Sequence, residues 1–344
     1  MSPAEFAPKA VLVTGGAGFI GSNFIRYLLD EASDVRIVNL DALTYAGNLE
    51  NLAGADASPR YEFEKLDVCD TDAVVAICRR QEIDAIAHFA AESHVDRSIT
   101  GPGEFVRTNV QGTLSLLQAA RQCGDIRFLQ VGTDEVYGSL GPTGMFTEAT
   151  SLSPRSPYSA SKAAADHLVA AFGHTYGLPT IITRCSNNYG PYQFPEKMIP
   201  LMINNARHDK PLPVYGDGLN VRDWLYVEDH CRALWAALTR GRPGETYNVG
   251  GHCERTNLQV VRAILAHLDK PERLITFVKD RPGHDRRYAI DSTKVQRELG
   301  WCPSLDFETG LARTIEWYMS HRTWLDHVVS GQYQAYYEQM YAGR

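Results

Sequence analysis

The chain has 344 residues, a formal net charge of −7 and an apolar fraction of 44%. This mild negative charge provides no field that would attract a nucleic-acid backbone, so we predict no nucleic-acid partner. No stretch of about 18 apolar residues is present, so we predict no membrane-spanning helix.

Short apolar runs alternate with helical patterns through the first half of the chain. The predicted strands are residues 10–14, 36–40, 85–89, 128–131 and 180–183, and the predicted helices are residues 19–31, 71–80, 105–122 and 156–176. Alternation of strand and helix implies a parallel sheet that is covered by helices on both faces. We therefore predict an α/β fold built on a Rossmann-type, doubly wound parallel sheet.

Beyond about residue 184 the loops become longer and richer in proline, glycine and aromatic residues. Helical patterns remain at residues 227–239, 258–268, 293–299 and 307–319. This change predicts two domains. The first is a Rossmann domain over residues 1–186, with returns to the sheet near residues 222–250. The second is a smaller, mostly helical substrate-binding domain over residues 187–344.

A glycine-rich turn follows the first predicted strand and opens the first predicted helix. Gly15, Gly18 and Gly21 would let a pyrophosphate approach the backbone amides at the helix N-terminus. Asp41 ends the second strand, about 20 residues further on, where an acid can bind the adenosine ribose. No arginine directly follows Asp41, so the pattern favours NAD over NADP. A phosphate-free turn with a solvated aspartate is the alternative.

Tyr158 and Lys162 are four residues apart on a predicted helix, so they share one face. A nearby ammonium favours tyrosinate, and we expect it to lower the phenol pKa toward neutral pH. Such a tyrosine can remove a hydroxyl proton while a hydride leaves the same carbon. A surface pair without function is the alternative for this spacing.

The seven cysteines are widely scattered and include no CxxC pair, and the histidines form no HExxH pattern. Neither a disulfide framework nor a metal site is therefore predicted. Free thiols fit a reducing compartment. Residues 1–10 contain no apolar run that would suggest a secretory signal, and we expect a cytoplasmic location.

Eight segments carry a resemblance to a known family. They are TGGAGFIG (14–21), DALTYAGN (41–48), AAESHVDRS (90–98), TDEVYG (133–138), YSASK (158–162), NNYGPYQFPEK (187–197), YGDGLNVRDWLYVEDH (215–230) and DRPGHDRRYAID (280–291). With them the chain resembles the extended short-chain dehydrogenase/reductase superfamily. Within that superfamily it is similar to the dTDP-glucose 4,6-dehydratase family over nearly its full length.

The resemblance implies a role for each residue of the catalytic group. Tyr158, supported by Lys162, would be the base at the C4 hydroxyl, and Thr133 would hydrogen-bond the C4 oxygen. Asp134 would be the acid at the C6 hydroxyl, and Glu135 would be the base at C5. From composition alone, a solvated acidic loop would be the favoured interpretation of Asp134 and Glu135. NAD would be tightly bound and recycled, because the hydride returns to C6.

The resemblance also implies binding residues and an assembly. The implied NAD-binding residues are Gly15, Gly18, Phe19, Ile20, Gly21, Asp41, Leu43, Thr44, Asp67, Val68, Phe89, Ala90, Ala91, Thr108, Tyr158, Lys162 and Asn188. The implied nucleotide-sugar-binding residues are Ser93, Thr133, Asn187, Lys197, Leu201, Pro213, Tyr215, Arg222, Asn257, Arg281 and His284. Taken alone, Asp67 could also be a strand-end cap, and we interpret His94 as a packing or loop residue. Family members form a homodimer through a four-helix interface, made by helices 105–122 and 156–176 here.

Three alternatives to this activity remain open from the sequence. The chain could be another nucleotide-sugar 4,6-dehydratase acting on a UDP-hexose, because motifs do not fix the base. It could be a nucleotide-sugar 4-epimerase or decarboxylase on the same scaffold. The third alternative is a dinucleotide-sensing regulator without catalysis. Such a protein could dispense with the Tyr158–Lys162 pair, which this chain keeps.

Overall fold

A seven-stranded parallel sheet lies at the centre of the computed structural model, which describes residues 5–124 and 126–330. The described residues contain twelve strands in all, seven of which form this sheet. The twelve strands are β1 (Ala10–Thr14), β2 (Arg36–Asp41), β3 (Tyr61–Lys65), β4 (Ala85–His88), β5 (Arg127–Thr133), β6 (Thr180–Cys185), β7 (Asn187–Tyr189), β8 (Leu212–Tyr215), β9 (Val221–Tyr226), β10 (Thr246–Val249), β11 (Glu254–Thr256) and β12 (Ile275–Val278). The large sheet has the order β10-β6-β5-β4-β1-β2-β3, and every adjacent pair is parallel. The predicted doubly wound α/β fold is therefore confirmed. The start of segment 1–10 and residues 331–344 of the predicted second domain lie outside the described residues.

Twelve α-helices connect these strands within the described residues. They are α1 (Phe19–Glu31), α2 (Thr71–Arg80), α3 (Val95–Thr100), α4 (Pro102–Phe105), α5 (Gly112–Gln122), α6 (Pro157–Tyr176), α7 (Met198–Arg207), α8 (Val227–Arg240), α9 (Asn257–His267), α10 (Thr293–Leu299), α11 (Phe307–Ser320) and α12 (Arg322–Val328). The described helices include none that is both long and apolar enough to cross a bilayer.

The two faces of the large sheet pack against different helices. In β1, Val11 and Val13 belong to a core shared with α1 and α8, whereas Leu12 belongs to a core shared with α2 and α5. Successive side chains of a strand point to opposite faces, so an uninterrupted apolar strand is buried on both sides. This burial explains why β1 reads as a continuous apolar run in the sequence.

A separate core lies beyond the carboxyl ends of the strands of the large sheet. It contains residues of α7, α9 and α11 together with the small sheets β11-β9-β7 and β12-β8. The helices predicted after residue 184 are confirmed as α8, α9, α10 and α11, with bounds that differ by at most one residue. This arrangement leaves the carboxyl end of the large sheet facing this core.

The predicted helix 105–122 is not one regular α-helix. A π-helical segment, Val106–Gln111, separates α4 from α5. Within it, the buried Asn109 side chain accepts from the Glu92 backbone N–H at 2.8 Å and donates to the Ser161 hydroxyl at 2.8 Å. Wider π-type turns are used in this way to redirect a side chain inside a helix. Asn109 thereby ties this segment to α6, which carries Tyr158 and Lys162.

Candidate active site

The glycine turn after β1 has the close backbone approach that only glycine allows. Gly15 has φ +68°, and a Cβ placed there would lie 2.6 Å from the Ala90 nitrogen. A Cβ at Gly21 would lie 2.3 Å from the Gly15 oxygen. Since α1 begins directly after this turn, its N-terminal amides face a surface that is free of side chains. These features fit the pyrophosphate of a dinucleotide.

Asp41 lies beside this turn at the end of β2. Its two carboxylate oxygens accept hydrogen bonds from the Ala17 N–H at 2.9 Å and the Leu43 N–H at 2.8 Å. Burial raises the pKa of Asp41, while these two amides act in the opposite direction. The carboxylate is thus held in a fixed position at the edge of the cleft, where a ribose hydroxyl could donate to it.

One cleft runs from the glycine turn across the ends of β4, β5 and β6. The sequence-predicted residues that line it are Gly15, Gly18, Phe19, Ile20, Gly21, Asp41, Thr44, Asp67, Val68, Phe89, Ala90, Ala91, Ser93, Thr108, Thr133, Asp134, Glu135, Tyr158, Lys162, Asn187, Asn188 and Lys197. The cofactor-type and catalytic residues therefore share a single space. This position, at the carboxyl ends of parallel strands, is where open α/β sheets bind ligands.

The remaining sequence-predicted residues lie outside this lining. Leu43 follows Asp41 with φ 54°, Leu201 and Pro213 are buried, and Asn257 begins α9. Tyr215, Arg222, Arg281 and His284 form a polar group on the substrate side. In it, Tyr215 Oη donates to Asp96 at 2.9 Å, and Arg281 pairs with the same carboxylate at 3.4 Å. His284 contacts Asp280 at 2.6 Å.

Tyr158 and Lys162 occupy the first two turns of α6. Ser156 caps this helix by accepting from the Ser159 N–H, and Pro157 occupies its first turn. Lys162 Nζ donates to the Val131 carbonyl oxygen of β5 at 2.8 Å. This contact fixes α6 against β5, the strand that Asp134 and Glu135 follow.

The expectation of a lowered pKa for Tyr158 is wrong in this structure. Burial, followed by the negative charge of Glu135, raises the pKa of Tyr158 well above its ordinary value, although a hydrogen bond with Thr133 lowers it. Lys162 is itself fully enclosed, and burial lowers its pKa. The spacing on the helix predicted the pair, but burial of both groups determines the direction of the pKa.

The segment Thr133-Asp134-Glu135 forms the junction between β5 and a short 3₁₀ turn, Asp134–Tyr137. The sequence predicted the end of the strand at Val131, but parallel pairing with β6 extends it to Thr133. The Thr133 hydroxyl accepts from the Glu135 N–H at 3.3 Å and so caps the turn. Both acids consequently lie at the carboxyl edge of the sheet.

The two adjacent acids have different surroundings. Burial, together with the negative charges of Glu135 and Asp223, raises the pKa of Asp134 well above its usual value. Burial also raises the pKa of Glu135, but Arg281, Lys197 and Arg222 act against that rise. The pKa of both acids is therefore raised, but the rise is larger at Asp134, because three cations oppose the effect of burial at Glu135. Paired acids separated in this way can serve as an acid and a base.

Comparison with known proteins agrees with this geometry. The family model for GDP-mannose 4,6 dehydratase matches residues 12–314. A dTDP-glucose 4,6-dehydratase of Neisseria meningitidis is 54% identical over 95% of this chain and 98% of its own length, and one from Xanthomonas campestris is 56% identical over 94% and 97%. This chain belongs to the dTDP-glucose 4,6-dehydratase family. It is thereby an extended short-chain dehydrogenase/reductase that uses NAD.

Solved structures of family members and of epimerases share the fold. The dTDP-glucose 4,6-dehydratase of Streptomyces venezuelae, with NAD and dTDP bound, has a TM-score of 0.90 at 50% identity over 93% of this chain and 99% of that chain. The UDP-glucose 4-epimerase of Thermus thermophilus, in complex with NAD, has a TM-score of 0.84 at 31% identity over 91% and 99%. The scaffold is therefore common to both activities, and the fold alone does not distinguish them.

Several cleft residues of this family member escaped the sequence interpretation. They are Leu40, Ala42, Ala46, Gly47, Leu66, Glu92, Arg107, Val131, Gly132, Cys185, Ser186, Gln193, Phe194 and Glu196. Glu92 and Glu196 belong to the AAESHVDRS and NNYGPYQFPEK segments and directly precede Ser93 and Lys197. Their adjacency to predicted binding residues was the available signal. Arg107 pairs with Asp67 across the cleft rim, and no sequence pattern connects these two residues.

A buried ion pair lies next to the acidic turn, Asp134–Tyr137. Arg184 Nε donates to Asp166 at 2.8 Å, and the two side chains are only 8% and 1% exposed. Arg184 also donates to the Tyr137 hydroxyl at 3.0 Å, which in turn donates to Asn248 at 2.7 Å. Asp166 lies one turn after Lys162 on α6, and Tyr137 belongs to the acidic turn. The pair thus connects the base helix to the acidic turn.

We expect Asp166→Asn to destabilise the fold by about 3–5 kcal/mol, because it leaves the buried Arg184 guanidinium without its counter-charge. Denaturant unfolding followed by far-ultraviolet circular dichroism would measure the change. Asp217→Asn is the matched control, since Asp217 and its partner Arg286 are each 54% exposed. An Asp166→Asn protein as stable as that control would contradict the expectation.

The raised pKa of Asp134 predicts the pH dependence of water loss. A carboxyl that donates a proton is active while protonated, and a raised pKa extends the pH range over which it is protonated. We expect the rate to fall as the pH rises through the raised pKa. Single-turnover product formation across a pH series would show this alkaline limb. The limb should disappear in Asp134→Asn, and its persistence there would assign it to another group.

Proposed function

We propose that this protein converts dTDP-glucose into dTDP-4-keto-6-deoxyglucose and water, as a dTDP-glucose 4,6-dehydratase. One observation carries the proposal. Asp134 and Glu135, with their pKa values separated by their surroundings, line the same cleft as Tyr158, Lys162 and the glycine turn. An enzyme that only inverts C4 needs the Tyr158–Lys162 pair and the cofactor, but its reaction does not require the two acids.

The first step is oxidation at C4 of the glucose ring. Tyr158 takes the proton of the C4 hydroxyl in its phenolate form, which the positive charge of a bound nicotinamide would favour against the effect of burial. Thr133 hydrogen-bonds the C4 oxygen. Lys162 is held by the Val131 carbonyl oxygen and provides positive charge on the same helix as Tyr158 while the proton is transferred. NAD, when bound, supplies the acceptor for the C4 hydride and the source of the hydride returned to C6.

The second step removes water across C5 and C6. The C4 ketone makes the proton at C5 acidic, and Glu135 removes it. The electron pair of that C–H bond forms the C5–C6 double bond, and the C6–O bond breaks as Asp134 protonates the departing hydroxyl. Asp134 Oδ2 is buried and has no hydrogen-bond partner among the described residues, which suits a group that donates its proton to substrate.

The final step saturates C6 and C5. Hydride is returned to C6, and a proton is added at C5, so the exocyclic C5–C6 bond becomes single again while the C4 ketone remains. The cofactor leaves the cycle in its starting oxidation state, and no outside redox partner is needed. This balance explains why a tightly bound cofactor is compatible with turnover.

We assign the cofactor contacts by position in the cleft, and the substrate contacts by the family resemblance and by their charge near Glu135. The glycine turn and Asp41 fit the pyrophosphate and adenosine ribose of NAD. Lys197, Arg222 and Arg281 surround Glu135 on the substrate side and provide cations for a diphosphate. The remaining substrate contacts that we propose are Ser93, Asn187, Leu201, Pro213, Tyr215, Asn257 and His284. Local cations therefore recognise a diphosphate in a chain whose net charge is negative.

Incubation with dTDP-glucose tests the proposal. A 4-keto product has an absorbance that develops in alkali, and mass spectrometry would show the loss of one water from the hexose. The same measurement with UDP-glucose separates the thymidine and uridine alternatives. A protein that retains NAD and yet forms no product from dTDP-glucose would exclude this substrate.

We further propose a homodimer built from α5 and α6, in the cytoplasm. The outward surface around these helices includes exposed apolar side chains, among them Ile99, Val106 and Tyr176, which a four-helix interface would cover. Size-exclusion chromatography with light scattering would give the assembly state. The seven cysteines are free, which fits a reducing compartment. The division into a Rossmann domain (1–186, with returns near 222–250) and a nucleotide-sugar domain (187–344) is also proposed.

A further inference from the structure

Three side chains from distant segments meet beside the cofactor end of the cleft. Tyr45 Oη donates to Glu196 Oε1 at 3.0 Å, and Arg97 Nε donates to Glu196 Oε2 at 3.2 Å. The Arg97 guanidinium also lies over the Tyr45 ring, 3.9 Å from its centroid. Each of the three residues thus contacts the other two. We name this triangle of Tyr45, Arg97 and Glu196 the latch.

The latch is built around a buried carboxylate. The side chain of Glu196 is 2% exposed, and that of Arg97 is 29% exposed. A buried charge is costly unless it is paired and hydrogen-bonded, and here each carboxylate oxygen has its own donor. Phe194 packs edge-on against the Tyr45 ring with centroids 5.8 Å apart. These contacts make the latch a specific structure and distinguish it from an exposed ion pair.

The latch connects two segments that line the same cleft. Tyr45 belongs to the loop after β2, whose residues Ala42, Thr44, Ala46 and Gly47 line the cleft beside Asp41. Glu196 directly precedes Lys197 and lines the cleft together with Phe194. Arg97 anchors both Tyr45 and Glu196 to α3. While the latch is closed, the loop after β2 cannot move away from the segment that contains Glu196.

We propose that the latch retains NAD between turnovers, with Glu196 as its central positioning residue. The inference rests on the proposed function through the recycling of the cofactor. Because the hydride returns to the sugar, NAD has no need to leave, and a closed latch does not slow the cycle. Opening the latch should increase the rate of NAD release.

Tyr45→Phe is the mildest test, since it removes one hydroxyl and keeps the ring on Arg97. A hydrogen bond to a charged group is strong enough for its loss to accelerate release about tenfold or more. Purified protein would be mixed with excess fluorescent NAD analogue, and the exchange rate would be followed by fluorescence. NAD content after gel filtration, measured in denatured protein, gives a second value that does not depend on activity.

Glu196→Gln tests the centre of the latch, because it removes the charge that holds Arg97. We expect faster NAD exchange than in Tyr45→Phe, and a dehydratase activity that depends on added NAD. Asp217→Asn is the control, since it breaks the exposed 2.8 Å pair with Arg286 and should leave exchange unchanged. A thermal melt of each variant separates loss of the latch from loss of the fold.

The outcomes distinguish the latch from the activity. If both latch variants exchange NAD at the wild-type rate, or if the wild-type protein binds no NAD, the latch is overturned. If the wild type forms no product from dTDP-glucose while Tyr45→Phe still accelerates NAD release, the latch stands and the proposed reaction fails. Tyr45→Phe that folds normally but exchanges faster, with Asp217→Asn unchanged, is the expected result.

Discussion

Replacement of Glu135 by glutamine is expected to stop water loss while oxidation at C4 continues. The amide cannot accept the C5 proton, whereas Tyr158 and Lys162 are unaltered. Loss of a general base lowers rates by about 10²–10⁴-fold, and we expect a fall of this size in kcat. Single-turnover experiments would follow the near-ultraviolet absorbance of reduced nicotinamide alongside the 4-keto product. The absorbance should rise and persist without product.

The Glu135→Gln result also separates the alternative activities. A 4-epimerase or decarboxylase has no step that takes a proton from C5 for elimination, so its turnover would survive the substitution. Full turnover with C4-inverted sugar or carbon dioxide as the product would favour that alternative. NAD content and melting temperature matching the wild type would show that the site itself is intact. Asp134→Asn should give the same block from the acid side.

Tyr158→Phe is expected to stop the reaction one step earlier. Without the phenol oxygen the C4 hydroxyl has no proton acceptor, so neither reduced nicotinamide nor product should accumulate. We expect both rates to fall by about 10²–10⁴-fold. Rapid-mixing absorbance measurements on enzyme saturated with dTDP-glucose would record the first step directly. The difference between this variant and Glu135→Gln identifies which residue serves which carbon.

Tyr176→Phe is the matched control for Tyr158→Phe. Tyr176 ends the same helix but is 48% exposed, far along α6 from the cleft residues. Its loss of a hydroxyl should leave both rates unchanged. A Tyr158→Phe protein that reduced its cofactor at the wild-type rate would place the C4 base on another cleft residue.

The sequence predicted those parts of the protein that depend on nearby residues. The glycine turn, Asp41 and the strand–helix alternation are local patterns, because backbone approach, strand ends and helical faces are set within a few residues of one another. The Tyr158–Lys162 spacing was likewise visible. Each of these elements lies where it was expected, and the bounds of most helices differ by at most one residue.

Properties that arise from distant segments could not be predicted in this way. The pKa of Tyr158 depends on burial and on Glu135, so the spacing to Lys162 predicted the wrong direction. The pKa difference between Asp134 and Glu135 requires Asp223 on one side and Arg281 on the other, which only the folded chain brings together. In the latch, Tyr45 and Glu196 are 151 positions apart, and no motif connects them.

The strand β10 has a consequence for how this protein can be divided. It pairs with β6 at the margin of the large sheet, and its Asn248 accepts the hydroxyl of Tyr137 from the acidic turn. A fragment that ended at residue 186 would therefore present β6 as an uncovered edge, which invites pairing with other chains and aggregation. It would also leave Tyr137 without its acceptor. Gene fragments encoding the two halves should consequently fail to give two separately folded, soluble proteins. Chimeras would have to exchange β10 together with β6, the strand with which it pairs.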